Sequence, residues 1–224
     1  MSIAVRHGAA LHEWAGAGGA RASSGLIGAV LRLLEQADLQ LPELDAIVFG
    51  RGPGAFTGLR AACAVAQGLA FGAGRPTLPL DTLLAVAEQA RHAHGAERVV
   101  ALLDARMGEI YSAAYEWLGD RAGWVARAPV CVGPPHALML PPGSGWALVG
   151  NVFALADVAW PAGAAQLPQL PALPTAGALL RLAPARLAAG CAVPAEQALP
   201  LYIRDKVAQT TLERQAQRAL AQNG

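Results

Sequence analysis

Apolar and polar positions alternate at the start of the chain. Residues 2–7 and 10–14 each read as a strand around Gly8-Ala9, which predicts a β-hairpin. The period then changes. Leu26, Ile27, Val30, Leu31, Leu33 and Leu34 recur at helical spacing behind Ser23-Ser24. Residues 24–36 are therefore expected to form an amphipathic helix, capped by a serine and stopped before Pro42. Its apolar stripe can face the core, or its outer edge can join a partner.

The middle of the chain departs most from an ordinary pattern. Residues 47–72 read IVFGRGPGAFTGLRAACAVAQGLAFG. They predict a short strand at 47–49, a glycine-rich loop at 50–55 and a helix at 57–71. Pro53-Gly54 suits the centre of a type II turn, and Thr57 suits an N-cap. No charged residue occurs from 61 to 74, and the small residues Gly58, Ala61, Ala62, Ala64, Ala66, Gly68 and Gly72 recur along the helix. A surface helix keeps a polar stripe, so this one is expected to be covered twice, by its own sheet and by another body.

Further along, a strand is expected at 76–80, followed by a helix to residue 90 that Asp81 or Thr82 caps. Residues 91–97 read as a polar link carrying His92 and His94. Strands at 99–103 and 109–115 flank a turn at 105–108. The stretch 127–175 holds Pro129, Pro134, Pro135, Pro141, Pro142, Pro161, Pro168, Pro171 and Pro174, which forbids long helices and favours loops with short strands, one at 147–149. Thr175 caps a helix to residue 189, kinked at Pro184. An extended segment at 200–204 and a polar helix at 211–221 close the chain.

Composition narrows the classes. Of the 224 residues, 54% are hydrophobic and 15% charged, against about 45–50% and about 25% in a typical domain. That excess points to hidden surface. No apolar run approaches the roughly 18 residues of a membrane span, and the opening residues lack a signal-peptide pattern, so the expected location is cytoplasmic, with no membrane partner. Cys63, Cys131 and Cys191 are too widely spaced for a disulfide framework or zinc motif. The 17 basic and 16 acidic residues leave a net charge of +1, with none of the basic surplus of a chain that grips nucleic acid alone.

Motifs for chemistry are sparse. The glycine loop carries no G-x-x-x-x-G-K-[ST], since Gly58 is followed by Leu59-Arg60. Arg51, Gly52, Pro53, Gly54, Thr57 and Arg60 form either a structural strand-to-helix turn or an anion-binding one, with free amides at a helix start and two arginines nearby. Asp104 and Glu109 are either an acid–base or magnesium pair, or residues that cap a turn and pair with arginine. His7, His12, His92, His94 and His136 never fall at H-x-x-x-H spacing, and no nucleophile motif occurs. No catalytic residue and no metal ligand is assigned.

Three blocks carry a resemblance: the stretch GRGPGAFTGLRAACAVAQGLAFG, then DARMGEIY at 104–111, then PLYIRDKVA at 200–208. In this order they resemble the TsaB (YeaZ) family of tRNA threonylcarbamoyladenosine biosynthesis and cover the chain from about residue 45. The resemblance implies an α/β, actin-like ATPase fold (ASKHA, RNase H-like) of two related subdomains, expected at 1–97 and 98–224. Family members carry a further strand with an Asp-Thr pair ahead of the first hairpin, so the first sheet is expected to lack a strand here. A longer natural start would restore it. Many relatives also have a His-Ser pair where Ser23-Ser24 stands.

The same resemblance implies a non-catalytic scaffold that binds a TsaD-like paralogue as a heterodimer, with a TsaE-like ATPase joining and tRNA reached through the complex. The expected partner interface is Leu26, Ile27, Val30 and Leu31 with Gly58, Ala61, Ala62, Val65, Ala66 and Leu69. Without the paralogue, the same patch is expected to give a homodimer. No cofactor is expected in the chain alone, while ATP or ADP can lie at the partner interface. The competing readings are an independent nucleotide-dependent ATPase, argued against by the absent acidic strand, and a peptidase, for which no ligand set exists.

Overall fold

The computed structural model describes residues 1–16, 22–155 and 159–204. The helix expected at 211–221, the end of the 200–208 block and Lys206 lie outside them. The predicted hairpin forms as β1 (Ser2–His7) and β2 (Ala10–Ala15), antiparallel with Ser2 opposite Ala15. Helix α1 (Ala22–Gln36) packs on it, burying Ala29, Leu33 and Leu34 against Ile3 and Val5. The strand β3 (Ile47–Gly52), the helix α2 (Phe56–Ala73) and the strand β4 (Thr77–Asp81) make a parallel βαβ unit. A crossover of this kind is what parallel neighbours require. Phe49, Cys63, Ala66 and Ala198 form its own small core.

Helix α3 (Thr82–His94) leads into a five-stranded sheet. Its strands are β5 (Arg98–Arg106), β6 (Glu109–Trp117), β7 (Trp124–Gly133), β8 (Ala147–Gly150) and β9 (Gln169–Pro171), in the spatial order β7-β6-β5-β8-β9. The β5–β6 and β6–β7 pairs are antiparallel, and β5–β8 and β8–β9 are parallel. Central β5 is apolar on both faces because both are covered. Val99, Ala101 and Leu103 join the large core under α3 and α4 (Ala176–Ala188), while Val100 and Leu102 join a second cluster with Ile110, Trp146, Leu148 and Val152.

The strands ahead of α3 form two separate pairs. Among the described residues β1 pairs only with β2, and β3 only with β4 within named strands. Helix α4 packs on both pairs and bridges them.

Two expectations are corrected. The proline-rich stretch contains most of a ten-residue strand, β7. Pro129 is tolerated there because β7 is an edge strand and its register with β6 shifts between Ser112 and Ala114. The link at 91–97 is helical to His94 and ends at Gly95, whose φ of 68° supplies the left-handed cap. His92 and His94 therefore sit on a helix, where i and i+2 do not share a face. Thr175 caps α4 as expected, accepting the Ala178 amide at 3.1 Å.

One buried carboxylate ties the layers together. Glu88 of α3 is 2% exposed. It accepts from Arg91 Nε and Arg181 Nε, each at 3.1 Å, and from Trp124 Nε1 at 2.9 Å. Arg91 lies over the Trp117 ring at 4.0 Å. A buried charge persists only when so fully partnered.

Candidate functional site

The glycine loop closes on its own fold. Arg51 Nε donates to Asp81 Oδ1 at 2.7 Å, and the Gly52 amide donates to Thr82 Oγ1 at 3.1 Å. Asp81 and Thr82 are thus spent on the loop, and neither side chain caps α3, which corrects that expectation. The type II turn is also absent. The Gly52–Pro53 peptide is cis, and the positive φ belongs to Gly52, at 128°, rather than to Gly54. A Cβ on Gly52 would stand 2.5 Å from the Leu201 carbonyl oxygen, and the Leu201 amide donates to Arg51 O at 2.7 Å. The segment around 195–202 therefore runs against the end of β3 and the side of α2. Gln67 Nε2 donates to Ala195 O at 3.1 Å, and Cys63 Sγ to Ala198 O at 2.9 Å. Burial pushes the Cys63 thiol above its usual range.

Thr57 is not the N-cap. Helix α2 begins one residue earlier, at Phe56, and Ala55 caps it with no side-chain hydrogen bond. Arg60 does not extend toward the loop. Its Nε donates to Tyr202 Oη at 3.0 Å and its guanidinium stacks 3.8 Å from the Phe56 ring centroid. A nucleotide phosphate does not fit these residues: Arg51 and the Gly52 amide are engaged, and Gly52 is closed by Leu201.

The DARMGEIY block forms the β5–β6 corner. Asp104 Oδ1 accepts the Arg106 amide at 2.7 Å and Oδ2 lies 3.0 Å from Arg106 Nη1, while Glu109 pairs with Arg204. Asp104 and Glu109 are thus turn and ion-pair residues. No three His, Cys, Asp or Glu side chains gather in a metal-binding cluster among the described residues. Tyr115 of β6 is buried, which pushes its phenol well up, and the Asp81 carboxylate adds to that.

The residues expected at a partner surface divide. Along α2, Leu59, Cys63, Ala66 and Ala70 face inward and are buried. Ala66 therefore packs within the chain's own core. Gly58, Arg60, Ala64, Gly68, Phe71 and Gly72 are exposed, and Ala61, Ala62, Val65 and Leu69 are half-buried. Phe71 is 81% exposed. On α1, Leu26 and Val30 are half-buried against the hairpin core, while Ile27 and Leu31 stand in solvent. Cover by its own sheet accounts for one side of α2 only.

Sequence reasoning missed the Phe56–Arg60–Tyr202 cluster and the Glu88 network. Their partners lie far apart in the chain, and no local pattern announces them. No helix among the described residues is long and apolar enough to cross a membrane.

A mixed α/β chain, with a glycine-rich strand-to-helix turn closed on itself beside an uncharged helix face, is the class that this geometry defines. Residues 20–144 match the family model described as TsaD, tRNA N6-adenosine threonylcarbamoyltransferase. Over 183 residues the chain is 35% identical to the tRNA threonylcarbamoyladenosine biosynthesis protein TsaB of Escherichia coli, covering 79% of this chain and 78% of that protein. It is 52% identical over 79 residues to TsaB of Haemophilus influenzae, or 35% and 34% of the two lengths. The solved structure of YeaZ from Pseudomonas aeruginosa superposes with a TM-score of 0.81 at 38% identity, covering 90% of this chain and 93% of that one. The chain belongs to the TsaB (YeaZ) family, which implies the actin-like fold.

Proposed function

We propose that this TsaB homologue serves tRNA threonylcarbamoyladenosine biosynthesis as a non-catalytic scaffold. It binds and activates a TsaD-like transferase, joined by a TsaE-like ATPase, for threonylcarbamoyl transfer to N6 of adenosine 37 in tRNAs reading ANN codons. The observation that carries this reading is the outward face of α2. Gly58, Ala64, Gly68, Phe71 and Gly72 are exposed on a helix uncharged from residue 61 to 74. Exposed apolar surface of this kind marks an interaction site, and small residues let a facing helix backbone approach closely. Ile27 and Leu31 of α1 are exposed apolar residues as well, and an interface of roughly 800 Å² per side is of standard size.

The net charge of +1 supports contact with tRNA through the complex rather than by this chain alone. An ATP or ADP in the assembly takes its phosphate ligands from the partner, because the glycine loop here is already engaged. Without the transferase the same face pairs two copies of the chain.

The test is calorimetric titration of the TsaD-like paralogue with Val65→Arg and Ala64→Arg. Each buries an unpaired charge at the proposed contact, and binding should fall by several kcal/mol. Circular dichroism should stay native, since Ala64 is exposed. Wild-type affinity in both variants would remove α2 from the interface.

A further inference from the structure

Arg60 is the one charge on the proposed contact face of α2. No other charged side chain occurs between residues 52 and 74. It is held from two sides: Tyr202 Oη accepts from its Nε at 3.0 Å, and the Phe56 ring lies 3.8 Å beneath its guanidinium carbon. The two rings are themselves in contact, with centroids 5.5 Å apart. Phe56 and Tyr202 remain 37% and 45% exposed. Among the described residues no carboxylate pairs with Arg60 and no acceptor meets Nη1 or Nη2.

The side chain is thus pre-ordered, with its terminal fork unspent and an apolar collar around it. Pre-ordering lowers the entropy lost when a flexible arginine binds, and the fork matches a carboxylate in two parallel hydrogen bonds. Arg, Tyr and Phe are also the residue types enriched at the energetic centres of protein interfaces. A phosphate would satisfy the same fork, yet a polyanion is gripped by many cations, and Arg60 is the single charge from residue 52 to 74.

We propose that Arg60, with Phe56 and Tyr202, is the charged anchor of the α2 face and takes one carboxylate of the transferase partner, with apolar partner surface seated on the two rings. This rests on the scaffold reading and deepens it.

The test is titration of the TsaD-like paralogue with Arg60→Met, Arg60→Lys and Tyr202→Phe, with Val65→Arg alongside. Arg60→Met, which keeps length without charge, should weaken binding at least about 30-fold. Arg60→Lys keeps charge without the fork and should still lose about 10-fold. Tyr202→Phe should lose about 3- to 10-fold by freeing Nε. Binding by Arg60→Met and Arg60→Lys within about twofold of wild type overturns the anchor. If Val65→Arg abolishes binding in that case, the face stands and only the anchor fails; if Val65→Arg also binds normally, the scaffold face fails with it. Unchanged paralogue affinity with weakened tRNA binding would assign the fork to phosphate and likewise overturn the proposal.

Discussion

The strands before and after α3 are joined in different ways. In the C-terminal half, β5 sits between β6 and β8, hydrogen-bonded on both sides and apolar on both faces. The strands ahead of α3 form two separate pairs among the described residues, antiparallel β1-β2 and parallel β3-β4. The five-stranded sheet carries a core on each face, and the larger of the two also takes in Leu78 and Leu80 of β4, while the hairpin with α1 and the β3–α2 pair keep small clusters of their own. A central strand joins its neighbours through backbone ladders, and here helix α4 joins them through side chains instead. The glycines that end β8 and β3 differ as well. Gly150 (φ 153°) closes on the carbonyl of Leu102 in β5, whereas Gly52 (φ 128°) closes on the carbonyl of Leu201, from the far end of the chain.

Several substitutions break or sharpen that contrast. The largest effect is expected at Glu88, which links α3 and α4 to the five-stranded sheet. Glu88→Ala strands two arginines and an indole N–H and should lower stability by about 3–5 kcal/mol in urea denaturation. A loss below about 1 kcal/mol would mean that the two halves are coupled elsewhere. Next comes the glycine pair. A Cβ on Gly150 would meet Leu102 O at 1.9 Å, against 2.5 Å to Leu201 O for Gly52. Gly150→Ala should therefore cost roughly 3 kcal/mol and Gly52→Ala roughly 1–2 kcal/mol, because an extended segment yields more readily than a central strand. Equal costs would show that Leu201 is held as firmly as β5.

The smallest effect concerns Glu116 on β6. Hydrogen bonds from Arg98 and then Arg127 hold its carboxyl below the ordinary range. A lowered folded pKa gives stability that is present above the ordinary carboxylate value, about 4.3, and lost as pH falls through the folded value. Glu116→Gln should be slightly less stable than wild type at neutral pH and indistinguishable from it in strong acid. Parallel stability–pH curves for the two proteins would refute this.

Much of the local structure was legible in the sequence. Alternation marked the hairpin at 2–15, helical spacing marked α1, and the Thr175 cap and the charge-free run of α2 from residue 61 were visible as residue types. These are properties of neighbours in the chain, where periodicity and capping act. Even there, local signals misled when a distant backbone intervened. Pro53-Gly54 reads as a type II turn, but Leu201 places the positive φ at Gly52. Pro129 reads as a loop, but the edge position of β7 accommodates it.

The composition and periodicity of this chain by themselves determined its helices and most of its strands, the uncharged run of α2 after Arg60 and, through three motif blocks, its family. Only the tertiary structure decided which groups meet: Gly52 with Thr82 across 30 residues, Glu88 with Arg181 across 93, and Arg60 with Tyr202 across 142. The reason is physical. A helix or cap is stabilised within a few residues of itself, whereas a hydrogen bond between distant segments exists only after packing has brought them within 3 Å or so of each other.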